Sequence, residues 1–156
     1  MKTMLRVLLS GSLASVAAAF TLAAAAKREG HPPARPLNAT SHWLHGDLAA
    51  AVSRVDARHT GVGYATHHVA ALMWAGVFEL LRQYSSRTDA GAVVRDAAIA
   101  ATTAAAVDYT ITPHRLTPGW EIVLSKGSMA LAYASMAAAF AASEFLLSPR
   151  RQERQA

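Results

Sequence analysis

The residues best equipped for chemistry in this chain are its seven histidines. His31, His42, His45 and His59 lie in a polar stretch before residue 60. His67 and His68 stand near the start of a long apolar segment, and His114 stands between two further segments. Imidazoles with a carboxylate suit Zn²⁺, Cu²⁺ or Ni²⁺, two imidazoles can hold a haem iron, and a His–Asp pair can carry a proton. His42 and His45 are spaced i, i+3, which aligns two side chains on one helix face. The candidate metal set is His67, His68, Asp108, His42, His45 and His114. No catalytic residue is assigned: the chain has no HExxH, no paired ExxH motif and no nucleophile elbow. With no cysteine, disulfides, thiolate metal sites and cysteine nucleophiles are excluded.

The elements that must position these groups belong to a membrane protein. Apolar residues make up 53% of the chain and charged residues 16%, against about 25% charged in soluble domains. The apolar content is rich in alanine, so each span is only moderately hydrophobic. The net charge is +5, but the Lys and Arg residues flank apolar segments. Anionic lipid headgroups, not nucleic acid, are therefore the expected partner.

The pattern predicts one all-α membrane domain over residues 1–156, with four transmembrane helices in an up-down bundle near residues 4–26, 61–84, 90–112 and 118–147. The first follows Lys2 and Arg6. It resembles a signal peptide in layout but exceeds the usual h-region of ~7–15 residues, which favours a retained helix. Gly11 and Ser15 form a small-xxx-small pair that would let another helix approach. In the polar external loop 27–60, Leu44, Leu48, Val52 and Val55 recur at helical spacing. They predict one short amphipathic helix, with Asp47 as its cap. On the second span, His68, Ala71, Ala75, Glu79 and Arg82 form the stripe expected at the helix interface, while Trp74 and Phe78 point to lipid or to a bulky neighbour. Pro118 is expected to open the fourth span and Glu121 to sit in its first turn. The cytoplasmic tail is 148–156.

Lys and Arg near span ends favour the terminal side by seven (Lys2, Arg6, Arg82, Arg87, Arg150, Arg151, Arg154) to six (Lys27, Arg28, Arg35, Arg54, Arg58, Arg115). This places both termini in the cytoplasm of an inner-membrane protein and all seven histidines outside. Two polar contacts follow from depth. Glu79 and Arg95 lie ~7–8 Å inside the same membrane edge, so they are expected to pair. His67 or His68, Asp108 and Lys126 lie at nearly one depth on the other side and are expected to cluster. The function expected is a structural or accessory membrane component, with self-association or other membrane proteins meeting its small-residue helix faces. The alternatives are histidine-based metal or haem binding at the external face, and proton-coupled transport or membrane enzymology.

Overall fold

Long alanine-rich runs broken by Pro, Gly and polar turns favour helix throughout, and the described residues contain no strand. The computed structural model describes residues 2–147; the expected tail 148–156 lies outside the described residues. The chain forms α1 (Lys2–Arg28), α2 (Arg35–Thr40), α3 (His42–His45), α4 (Val62–Tyr84), α5 (Ala90–Ala106, continued by a π-helical turn Val107–Ile111) and α6 (Lys126–Leu147). Three stretches, Thr3–Arg28, Ala90–Ile111 and Lys126–Leu147, are long and apolar enough to cross a membrane. At 23 residues α4 has the length, but it is outside that set because His67, His68, Glu79 and Arg82 lower its hydropathy.

The four long helices close a ring in which α1 and α5 each pack against both α4 and α6. Side-chain contacts fix their directions. Arg6 reaches Glu79 while the Ser15 carbonyl meets His67, so α1 and α4 run antiparallel. Arg6 also reaches Glu144, and Glu29 at the far end of α1 meets Ser125 and Ser128, so α1 and α6 do the same. Residues 85–89 link α4 to α5, and Arg82 binds Asp96 across that hairpin at 2.6 Å. Phe78 and Phe140 stack at 5.2 Å in the middle of the ring.

Gly11 and Ser15 do permit the close approach expected of them. A Cβ on Gly11 would lie 2.9 Å from the Leu72 Cα, and Ser15 is fully buried. Glu29 caps α6 from another helix: its carboxylate accepts from the Ser125 and Ser128 hydroxyls and the Ser125 N–H. Those bonds, led by the Ser125 hydroxyl, pull its pKa from 4.5 to about 2.

Several sequence expectations are corrected. The amphipathic helix over Leu44–Val55 does not form. Gly46 at φ +73° ends α3, a 3₁₀ turn covers Asp47–Ala51, and Leu44, Leu48 and Val55 are exposed. The buried Asn38 amide donates to the Val52 and Arg54 carbonyls, which holds that strand of chain out of a helix. The last long helix begins at Lys126, not Pro118. Gly119 takes a left-handed turn at φ +77° and Trp120 folds inward on a 3₁₀ turn, so Glu121 is not in the first turn of α6. On α4 the buried stripe runs through His67, not His68, together with Ala71, Trp74, Ala75, Phe78, Glu79 and Arg82.

Candidate functional site

The histidines gather at one end of the ring, where the carboxyl end of α1, the amino ends of α4 and α6 and the end of α5 meet. At this end lies a cavity of about 170 Å³, which His67 alone of the histidines lines. Its walls include Trp43, Trp74 and Trp120, which are all three tryptophans of the chain, with Tyr133, His67 and Asp108. α3 supplies Trp43, α4 supplies His67 and Trp74, the π-helical turn supplies Asp108, the link before α6 supplies Trp120, and α6 supplies Tyr133.

Hydrogen bonds fix these rings. Trp43 Nε1 donates to Thr66 Oγ1 and Trp120 Nε1 donates to Thr40 Oγ1, each at 3.1 Å. Trp74 is buried, and its Nε1 has no hydrogen-bond partner among the described residues. His67 Nε2 donates to the Ser15 carbonyl at 3.0 Å. A carbonyl only accepts, so Nε2 carries the proton and Nδ1 keeps its lone pair in the neutral ring. His67 and Trp120 meet edge-on at 5.7 Å, and Trp120 leans on Tyr133 at 5.5 Å. Tyr133 Oη donates to Asp108 Oδ2 at 2.6 Å. Among the described residues no lysine, arginine or histidine pairs with Asp108, and Glu121 adds its own negative field.

The expected cluster of His67 or His68, Asp108 and Lys126 is therefore only half present. His67 and Asp108 share the cavity. His68 turns away and stacks on Tyr64 at 5.9 Å, and Lys126 is exposed. Adjacent residues on a helix point about 100° apart, so His67 and His68 could not both face one centre.

The six-residue metal set divides in the same way. His42 and His114 come together, with ring centroids 5.7 Å apart. His45 instead lies beside His59, with tilted rings 5.0 Å apart, and bonds the Arg58 carbonyl. Asp47, expected only as a cap, completes a tight group with His42 and His114.

At the opposite end, the expected Glu79–Arg95 pair is replaced. Glu79 accepts from Arg6 at 2.8 Å, and Arg6 also binds Glu144. Arg95 binds its neighbour Asp96, which Arg82 holds from the other side. Glu79 lies on the face of α4 turned to α1, away from α5, so matching depth did not mean matching direction.

Sequence reasoning missed Trp43, Trp120, Tyr133 and Asp47 as site residues and assigned Trp74 to lipid or a bulky neighbour. One signal was available: Trp43 and Trp120 sit within six residues of His42 and His114. Family models, curated proteins and solved structures were each compared with the chain, and none matches.

Proposed function

We propose that the protein is a four-span inner-membrane bundle with cytoplasmic termini that binds a small organic cation in the aromatic cavity at its external end. One observation carries this reading: every tryptophan of the chain lines one cavity together with a carboxylate that has no cationic partner among the described residues. Aromatic faces attract cations, and quaternary ammonium groups are held by such cages. A carboxylate in an apolar wall adds charge selectivity. The size agrees. An apolar cavity of about 150 Å³ holds a benzene, so about 170 Å³ suits a head of tetramethylammonium or choline dimensions.

The four-span part is supported by α4, whose His67, Glu79 and Arg82 take interior positions against α1 or α5. Retention of α1 is part of the same reading, since Arg6, Ser15 and Glu29 each hold another helix. Reporters fused after Arg154 and near Arg35 test the topology, with cytoplasmic and external readings expected; the reverse overturns the orientation.

Ligand binding is tested by tryptophan fluorescence of the protein in mild detergent, since every reporting indole lines the cavity. Choline and tetramethylammonium should bind at least about tenfold more tightly than neutral 3,3-dimethylbutan-1-ol, which is ~1.4 kcal/mol. Asp108→Asn should remove that preference. Equal binding of the neutral isostere, or no response to any of them, defeats the reading.

A second reading, an accessory component, has its own observation. α5 and α6 leave an outward groove of about 730 Å³ walled largely by alanines, with Val94 and Phe145 among its other walls. Small residues let another helix approach. Loss of co-purification or of self-association on Ala98→Leu or Ala138→Leu is the expected result on this reading.

A further inference from the structure

We propose that His42, Asp47 and His114 form an external site for one divalent transition-metal ion, separate from the aromatic cavity. The ligand atoms of these three residues all lie within 4.8 Å of one another. They come from three pieces of chain: α3, the 3₁₀ turn after Gly46, and the 3₁₀ turn His114–Leu116.

His42 makes the case. Its side chain is 1% exposed, and both ring nitrogens have partners. Nε2 lies 3.0 Å from the Thr117 carbonyl oxygen, which can only accept, so Nε2 carries a proton. Nδ1 lies 3.1 Å from Asp47 Oδ1. With both groups free of a proton or ion between them, that contact sets a lone pair against a carboxylate. A proton held between the two atoms or a metal ion bound to both makes it attractive. Two donors ~2.0–2.2 Å from one ion, at an angle of roughly 90–110°, are separated by about 3–3.5 Å. The observed spacing falls in that interval. A ligating histidine commonly donates its other N–H to a backbone carbonyl, which fixes the tautomer as it is fixed here.

His114 supplies the feature a simple ion pair lacks. It brings a second imidazole to the pair: its ring stands edge-on to His42 at 5.7 Å, and its ligand atom lies within 4.8 Å of the other two. The loops that carry the set are stitched together without it: Arg115 Nε donates to the Trp43 carbonyl at 3.1 Å. Asp47 and His114 are exposed, so both can rotate onto an ion bound to the fixed His42, and water can take the remaining position. Two imidazoles and one carboxylate favour Zn²⁺, Cu²⁺ or Ni²⁺ over Ca²⁺ and Mg²⁺.

The test uses the full chain, purified in mild detergent without a histidine tag, and titrated with Zn²⁺ against a chromophoric competitor. One Zn²⁺ per chain is expected. Asp47→Asn and His114→Gln change exposed residues and should leave the metal-free melting temperature nearly unmoved, while each weakens Zn²⁺ at least about tenfold. His45→Gln should bind as the wild type does. No Zn²⁺ or Cu²⁺ binding by the wild type overturns the proposal and leaves the His42–Asp47 contact as a hydrogen bond only. So does wild-type affinity in either Asp47→Asn or His114→Gln.

Discussion

Gly63 of α4 and Leu37 of α2 meet backbone to backbone: a Cβ on Gly63 would stand 1.8 Å from the Leu37 carbonyl oxygen. No rotamer relieves that clash, because the obstacle is main chain. α2 carries Thr40 to Trp120 and Asn38 to the loop carbonyls, so displacing it would disturb the wall of the cavity.

Gly63→Ala should therefore cost about 1–3 kcal/mol or more, as overpacking does. Gly76→Ala is the internal control. It lies on the same helix with nothing within 4 Å of the added Cβ, and should be neutral or stabilising by about 0.5–1 kcal/mol. Melting curves of the two variants in detergent decide the matter; equal shifts would show that the α2–α4 contact is not tight.

The charge network near the other end gives a sharper contrast. Arg6→Gln leaves Glu79 and Glu144, both buried, without their shared cation, and should destabilise by about 3 kcal/mol or more. Arg95→Gln removes a half-exposed guanidinium from Asp96, which keeps Arg82, and should cost about 1 kcal/mol or less. A double-mutant cycle should show coupling between positions 6 and 79 and additivity between 79 and 95. Coupling at 79 and 95 alone would refute the assignment.

Acid should loosen the cap on α6. The Glu29 carboxyl sits at about 2 in the folded chain against 4.5 ordinarily. Its contribution to stability is complete above pH 4.5 and is lost as pH falls from there toward 2. Asp56 acts in the same sense from 3.8 down to about 2, chiefly through the N–H of His59. The melting temperature of Glu29→Gln should fall less steeply than that of the wild type below pH 4.5. Parallel curves would remove Glu29 from the account.

Asn38 is fully buried and uses its whole amide: Nδ2 donates to the Val52 and Arg54 carbonyls, and Oδ1 accepts from Thr60. Asn38→Ala deserts all three and should cost about 1–3 kcal/mol. Proteolysis should then cut first within residues 46–60. Unchanged proteolysis would mean that the loop is held by something else.

How much of this was legible in the sequence follows from the physics of each signal. The bounds of α4 and the start of α5 came through within a residue, because apolar runs and polar stops are local, whereas α6 starts eight residues later than expected. Position along the helices also came through for the histidines, since rise per residue is fixed, and it gathered them at one end of the bundle; Lys126 escaped because α6 starts there and not at Pro118. Azimuth did not. Glu79 and Arg95 lie at the same end of the bundle but face different neighbours, and His67 replaces His68 on the buried stripe by one residue's rotation. The cavity depended on Gly119 turning Trp120 inward and on α3 laying Trp43 over Thr66. Both are tertiary outcomes that no periodicity encodes.

The polarity of α4 also bears on the order in which the chain is built. A helix with two histidines, a glutamate and an arginine partitions poorly from a translocon into lipid by itself. In the four-span reading its partners arrive from both directions in time. α1, already synthesised, offers Arg6 and the Ser15 carbonyl, whereas Asp96 emerges only after α4 is complete. α4 would then wait beside α1 and commit to the bilayer only as a hairpin with α5. Assembly of this small bundle would be a concerted event, not the sequential release of independent helices.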